Sequence, residues 1–327
     1  MTDRALLENG LAVIASCRRR TGDIWDAHFG AAAIAAYFFI AENRLDADVA
    51  RKISAQADRM VSEHLEESAG SVQPDRTATE KRRKHSASEG ERVIAEALEE
   101  TIDGLYWVGH NAIYAAASIK AIRELDGWGE PEDVQAISEL IRSFKGKIPG
   151  RSWIGYKTSE VRALALLEME GEGPAGIEDG AALSRAMLRE LTAFETIYRA
   201  EAHHDLIGHM LTFSHALVTL EELGYRALFE RGLGPLFKLV HALRASRHLR
   251  PGEPVKLYSP IDREPLAPAQ PSSSLPTDSE FWDKDRSGDA WDFGHAFKFP
   301  YSFYHLAARA GGADAAAFDR FRHIVGP

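Results

Sequence analysis

The chain has 327 residues, 45% hydrophobic and 27% charged, which is ordinary globular composition and long enough to bury a substantial core. A net charge of −10 argues against wholesale affinity for nucleic acid or an anionic membrane. The single cysteine, Cys17, excludes a disulfide framework within the chain and any multi-cysteine zinc or iron–sulfur site, and reads as a small buried apolar residue.

Ala5 to Arg20 carries Leu6, Leu7, Leu11, Val13, Ile14 and Cys17 at helical spacing. The apolar run is too short to span a bilayer, and Arg18 to Arg20 follow it where a signal peptide has its basic residues first. The chain therefore reads as soluble and cytoplasmic. After a turn at Thr21-Gly22-Asp23, Asp26 is expected to cap a helix running to about Ala41, whose alanine and aromatic residues leave no polar face. Ala47 to Glu67 is amphipathic instead. An all-apolar helix beside an amphipathic one suggests an inner layer covered by an outer one.

Residues 70–90 form a polar interruption with the charge run Glu80-Lys81-Arg82-Arg83-Lys84-His85, expected to be a solvated loop. Ser88 with Glu91 reads as a capping box for a helix from Glu91 to Ile102. A second alanine-rich inner helix spans Asn111 to Leu125, and Pro131 opens an amphipathic helix to about Phe144. A connector, Lys147 to Thr158, precedes helix from Ser159 to Glu168. Ala181 to Tyr198 is amphipathic, His204 to Leu223 is a third inner helix, and Arg226 to Leu249 its outer partner. The stretch 251–280 holds Pro251, Pro254, Pro260, Pro265, Pro268, Pro271 and Pro276, half of the chain's 14 prolines, and reads as a surface loop or lid, with a disordered linker as the competing reading. A fourth inner helix, Asp289 to Ala310, and a closing helix, Ala313 to Val325, follow. Almost no strand is expected. The fold class is all-α: one domain over 1–327, built of repeated helical hairpins forming an α/α toroid or closed helical array.

One pattern recurs four times, at intervals of roughly 80–100 residues. His28 in Trp25-Asp26-Ala27-His28, His110 in Trp107-Val108-Gly109-His110, His209 in Leu206-Ile207-Gly208-His209 and His295 in Asp292-Phe293-Gly294-His295 each follow Gly or Ala and open an apolar helix. Helix N-termini offer unpaired N–H groups and partial positive charge. They favour an acidic oxygen on a ligand and push a neighbouring imidazole towards its neutral form, able to act as base, donor or metal ligand. Asp205, one turn before His209, is placed to fix that ring's tautomer. Tyr114 lies one turn after His110. On the last inner helix His295, Lys298, Tyr301, Ser302 and His305 share one stripe by steps of three and four.

His110, His209, His295, Lys298 and Tyr301 are the candidate catalytic residues. His28, Trp107, Tyr114, Asp205, His215, Ser302 and His305 are expected to contact the ligand. A divalent transition metal held by His28, His110, His209 and His295, with His203 or His204 as further donors, stays open beside a metal-free acid–base site. Capping and core histidines are the bland alternative, and His64, His241 and His323 read as structural. No G-x-G-x-x-G after a strand, G-x-x-x-x-G-K-[ST] or G-x-S-x-G occurs, which argues against Rossmann, P-loop and α/β-hydrolase chemistry.

The segments His28 with Asn43-Arg44-Leu45-Asp46-Ala47, Gly109-His110-Asn111-Ala112-Ile113, His209-Met210-Leu211-Thr212 with Ser214-His215-Ala216-Leu217, and His295-Ala296-Phe297-Lys298 resemble the questin oxidase-like family. The resemblance implies an all-helical oxidoreductase performing Baeyer–Villiger-type oxidation of a bulky aromatic or polyketide-like substrate and drawing on NADPH. Two further readings stand beside it: a lyase or cyclase using histidine acid–base chemistry, and a carrier of an apolar metabolite. Homo-oligomerisation is left open.

Overall fold

A computed structural model describes residues 4–69, 86–164, 174, 176–288 and 293–326. Among these residues the chain forms twelve α-helices: α1 (Ala5–Thr21), α2 (Ala27–Glu42), α3 (Ala47–Ala69), α4 (Ala87–Glu99), α5 (His110–Glu124), α6 (Pro131–Arg142), α7 (Thr158–Ala163), α8 (Gly180–Thr192), α9 (Leu206–Glu222), α10 (Arg226–Arg244), α11 (His295–Ala310) and α12 (Ala315–Ile324). Two short strands, β1 (Trp153–Ile154) and β2 (Leu257–Tyr258), pair antiparallel. The protein is all-α, as the apolar periodicity predicts. No helix among the described residues is long and apolar enough to cross a membrane.

The chain divides into two compact units. The first comprises Met1–Glu100, Tyr114–Ser143 and Pro276–Tyr301, the second Thr101–Ile113, Phe144–Leu275 and Ser302–Pro327. Two of the five dividing points fall within helices, 113/114 in α5 and 301/302 in α11.

In the first unit α1, α2 and α3 pack on one another, and α6 packs on both α1 and α4. Every residue of α2 from Ala27 to Phe39 is buried, as expected of a helix with no polar face. Asp26 does not cap it: its carboxylate pairs with the Arg20 guanidinium instead of a backbone N–H. The cap before α4 lies two residues earlier than Ser88. Ser86 Oγ accepts from Glu89 N at 3.4 Å, while Glu91 is buried against the Arg123 guanidinium. Both Ser-x-x-Glu spacings satisfy the local rule, and the partner 32 residues away decides between them. The charge run 80–85 lies outside the described residues.

In the second unit α9 is buried from Leu206 to Leu220, with α8 and α10 packed against it and α12 on α8. The predicted helix over Ala181 to Tyr198 stops at Thr192. Beyond it, Arg199 N donates to Ala267 O at 2.8 Å and Ala269 N to Ile197 O at 2.7 Å. The proline-rich segment is thus hydrogen-bonded by its non-proline residues, including Ser272 N to Arg322 O at 2.9 Å. The helix expected from Ser159 ends at Ala163, and its predicted second half lies outside the described residues. α10 ends at Arg244, short of Leu249. A π-helical turn, Glu201–Asp205, leads into α9, so the predicted start at His204 moves to Leu206. The helix expected from Asp289 begins at His295, because Phe293 (φ 49°) and Gly294 (φ 70°) have left-handed backbone; residues 289–292 lie outside the described residues.

Candidate functional site

In the first unit His28 is the second residue of α2 and is buried. Its Nδ1 lies 2.9 Å from Trp25 O and 2.6 Å from Tyr114 Oη. A main-chain carbonyl can only accept, so Nδ1 carries the hydrogen and shares it between the two oxygens. The Tyr114 hydroxyl in turn donates to Ile24 O at 3.3 Å. Nε2 therefore bears the lone pair of the ring. Tyr114 is buried, and desolvation pushes its phenol well above the usual range, with Cys17, Asp23 and Asp26 adding to the shift; it stays protonated. Trp25 and Phe293 lie against the His28 ring, with centroids 5.6 and 5.4 Å away. His295 completes the group: its ring centroid is 5.9 Å from that of His28, and it stacks on Phe299 at 4.4 Å. Lys298, one turn further along α11, is buried.

Tyr301 goes elsewhere. Its hydroxyl accepts from Lys120 Nζ at 2.6 Å and donates to Glu42 Oε1 at 3.1 Å. Glu42 ends α2 and His28 begins it, about 20 Å apart along the axis at about 1.5 Å per residue. The structure therefore groups His28, Tyr114 and His295 and leaves Tyr301 in a separate ionic cluster.

In the second unit His110 opens α5 after a turn in which Trp107 (φ 41°), Val108 (φ 52°) and Gly109 (φ 96°) are all left-handed. A β-branched residue there is a true outlier, and such strain persists only where the surroundings over-determine it. Trp107 N donates to Ile148 O and Val108 N to Pro149 O, each at 2.8 Å, which holds the turn. Glycine is required at 109 twice over, by its φ and because a Cβ would stand 2.4 Å from the Phe213 ring. The turn presents Trp107 O to His110, whose Nδ1 donates to it. His209, the fourth residue of α9, donates its Nδ1 hydrogen to Asp205 O at 2.8 Å. The sequence points to the Asp205 carboxylate as the partner of this ring, whereas the hydrogen bond goes to the Asp205 main-chain oxygen and the carboxylate is 3.4 Å away. The His110 and His209 ring centroids are 4.8 Å apart, and with Nδ1 donating, Nε2 is the nitrogen that carries the lone pair in the neutral form of each ring.

Three other predicted residues form a group of their own in this unit. His215 Nδ1 is 3.0 Å from Ser302 Oγ, the His215 and His305 ring centroids are 4.4 Å apart, and His305 Nε2 is 3.2 Å from Glu222 Oε1. His203 is fully buried between the rings of Phe194 and Tyr198, and its Nδ1 accepts from Tyr198 N at 3.0 Å. Burial, with His204 adding to it, pushes its pKa down to about 3. His64 stacks on Phe29, and His323 Nδ1 bonds Ala269 O, consistent with structural roles.

Sequence reasoning missed the strained turn before His110 and the π-helical turn before α9. Asp262 of the proline-rich segment accepts from Glu201 N and Ala202 N, both at 2.9 Å, and so anchors that π turn. The first had a signal in the sequence: an aromatic residue two or three places before the histidine, then glycine, at both Trp107-Val108-Gly109-His110 and Phe293-Gly294-His295. The second had none, because its anchor lies about sixty residues away. Comparison of the chain with family models, with curated proteins and with solved structures returns no match.

Proposed function

We propose that the protein is an oxidoreductase of the questin oxidase-like kind, acting on a bulky aromatic or polyketide-like substrate through its buried imidazoles. The observation that carries this reading is a repeated tautomer. His28, His110 and His209 each give the Nδ1 hydrogen to a main-chain carbonyl three or four residues earlier, at the first turn of an apolar helix. Packing alone has no need of the same ring nitrogen held the same way in three places.

A neutral imidazole with Nδ1–H on a carbonyl is also the form that ligates a divalent transition metal. The donor chemistry of the His110–His209 pair fits such an ion, which would supply Lewis-acid or dioxygen chemistry when bound. His28, held by Trp25 and Tyr114, offers the same donor atom in its own unit. In the reaction that the resemblance implies, a ketone, dioxygen, NADPH and a proton give an ester, NADP⁺ and water. The role assigned to the chain is to hold its imidazoles neutral among apolar side chains and to accept or release a proton at Nε2.

Metal analysis of the purified full chain and of the His110→Ala/His209→Ala variant tests the reading, together with oxygen uptake on aromatic ketones in the presence of NADPH. The expected result is a transition metal bound by the wild type and lost from the variant, with substrate-dependent oxygen uptake lost alongside it. Equal metal content in the two proteins, with oxygen uptake no faster than without enzyme, would overturn it.

A further inference from the structure

The second unit contains a hollow of about 280 Å³ whose lining includes Tyr106, Lys147, Arg162 and Lys238 and, among the described residues, no carboxylate. The three cations come from different elements: Lys147 from the connector after α6, Arg162 from α7 and Lys238 from α10. Arg162 Nη2 donates to Lys147 O at 3.3 Å, which ties two of these elements together. Among the described residues neither Lys147 nor Lys238 has an ion-pair or hydrogen-bond partner for its ammonium group.

The acids nearest in sequence are already engaged. Asp103 is held by Arg231 at 2.7 Å, and Glu160 accepts from Lys157 N at 2.6 Å. In a chain with 49 acidic and 39 basic side chains, three cations facing one concavity with no counter-charge among the described residues are unusual. Their mutual repulsion is relieved by an anion that accepts from all three.

We propose that this hollow binds a phosphate group. A phosphate presents enough acceptor oxygens for two ammonium groups and a guanidinium, and Arg is suited to bidentate contact with it. The volume lies just below the range of about 300–1,000 Å³ typical of sites for whole drug-sized ligands, so it suits a phosphate head better than an entire large ligand. Tyr106 offers a hydroxyl to the phosphate or a ring face to an attached base. The inference is independent of the oxidoreductase reading, since no histidine is among the described residues that line the hollow.

Isothermal titration of the full chain at low salt with inorganic phosphate, pyrophosphate and adenosine monophosphate tests it. Saturable single-site binding is expected, weakened about tenfold or more in Lys147→Gln/Lys238→Gln, the usual consequence of losing charge-assisted hydrogen bonds. Unchanged far-UV circular dichroism shows that the variant is folded, and Arg162→Gln alone serves if it is not. Tighter binding of adenosine monophosphate, lost in Tyr106→Leu, assigns the phosphate to an organic ligand; equal affinities assign it to the free ion. The proposal is overturned by an absence of saturable heat with all three probes, by unaltered affinity in the charge variants, or by equal competition from chloride.

Discussion

Replacing Gly109 with alanine tests whether the turn before His110 is held by both backbone and packing. The residue has φ 96°, and an added Cβ would lie 2.4 Å from the buried Phe213 ring. An L-residue with left-handed backbone costs about 1–2 kcal/mol, and forcing a methyl group into a filled core costs about 1–3 kcal/mol more. Gly224 supplies the control in the same unit: it has φ 93° with nothing within 4 Å of a Cβ, so its alanine variant carries the backbone cost alone. Gly109→Ala should therefore be the less stable of the two by about 1–3 kcal/mol. At roughly 2–4 °C per kcal/mol, the gap in melting temperature is about 2–12 °C by circular dichroism. Phe213→Leu should recover part of it when combined with Gly109→Ala. Equal melting temperatures for the two alanine variants, or no recovery in the double variant, would refute the packing argument.

Stability should also depend on pH through His203. Its folded pKa of about 3 lies below the ordinary 6.5, so the unfolded chain binds the proton first as pH falls. The histidine's contribution is fully present above 6.5 and is lost towards 3, at up to about 1.4 kcal/mol per pH unit. His203→Asn, which keeps an acceptor for Tyr198 N, should flatten the urea-midpoint profile across that window; parallel profiles for the two proteins would count against it. Cys17 is buried, and desolvation pushes its thiol up to about 11, so it should resist a thiol-specific chromogenic reagent at pH 8 until the protein is denatured. Stoichiometric reaction of the native chain within minutes would contradict this. Glu190 is buried and bonded to both Arg244 and Arg247. Glu190→Leu removes the buried carboxylate shared by two partly buried guanidinium groups and should cost about 3 kcal/mol in denaturant unfolding, against a negligible effect if the triad is incidental.

Local periodicity accounts for what could be read early. Helix α2 is alanine and aromatic throughout, and α9 almost wholly apolar, so both had to be buried whatever surrounded them. The places of His28, His110, His209 and His295 in the first turns of helices follow from the same patterning. The ring tautomers of the first three are nearly as local, since each Nδ1 bonds a carbonyl three or four residues back.

Tertiary structure decided the rest. Tyr301 shares a helical stripe with His295 in the sequence, yet Lys120 and Glu42, brought from α5 and α2, take its hydroxyl. Ser86 rather than Ser88 caps α4, because Arg123 draws Glu91 into a buried pair. Trp107 and Val108 adopt left-handed backbone only because Ile148 and Pro149 accept their N–H groups and Phe213 fills the space beside Gly109. Helical patterning repeats within a few residues and is written along the chain. The partner of a polar side chain is chosen by whichever group distant folding brings within 3 Å of it, and no local spacing encodes that choice.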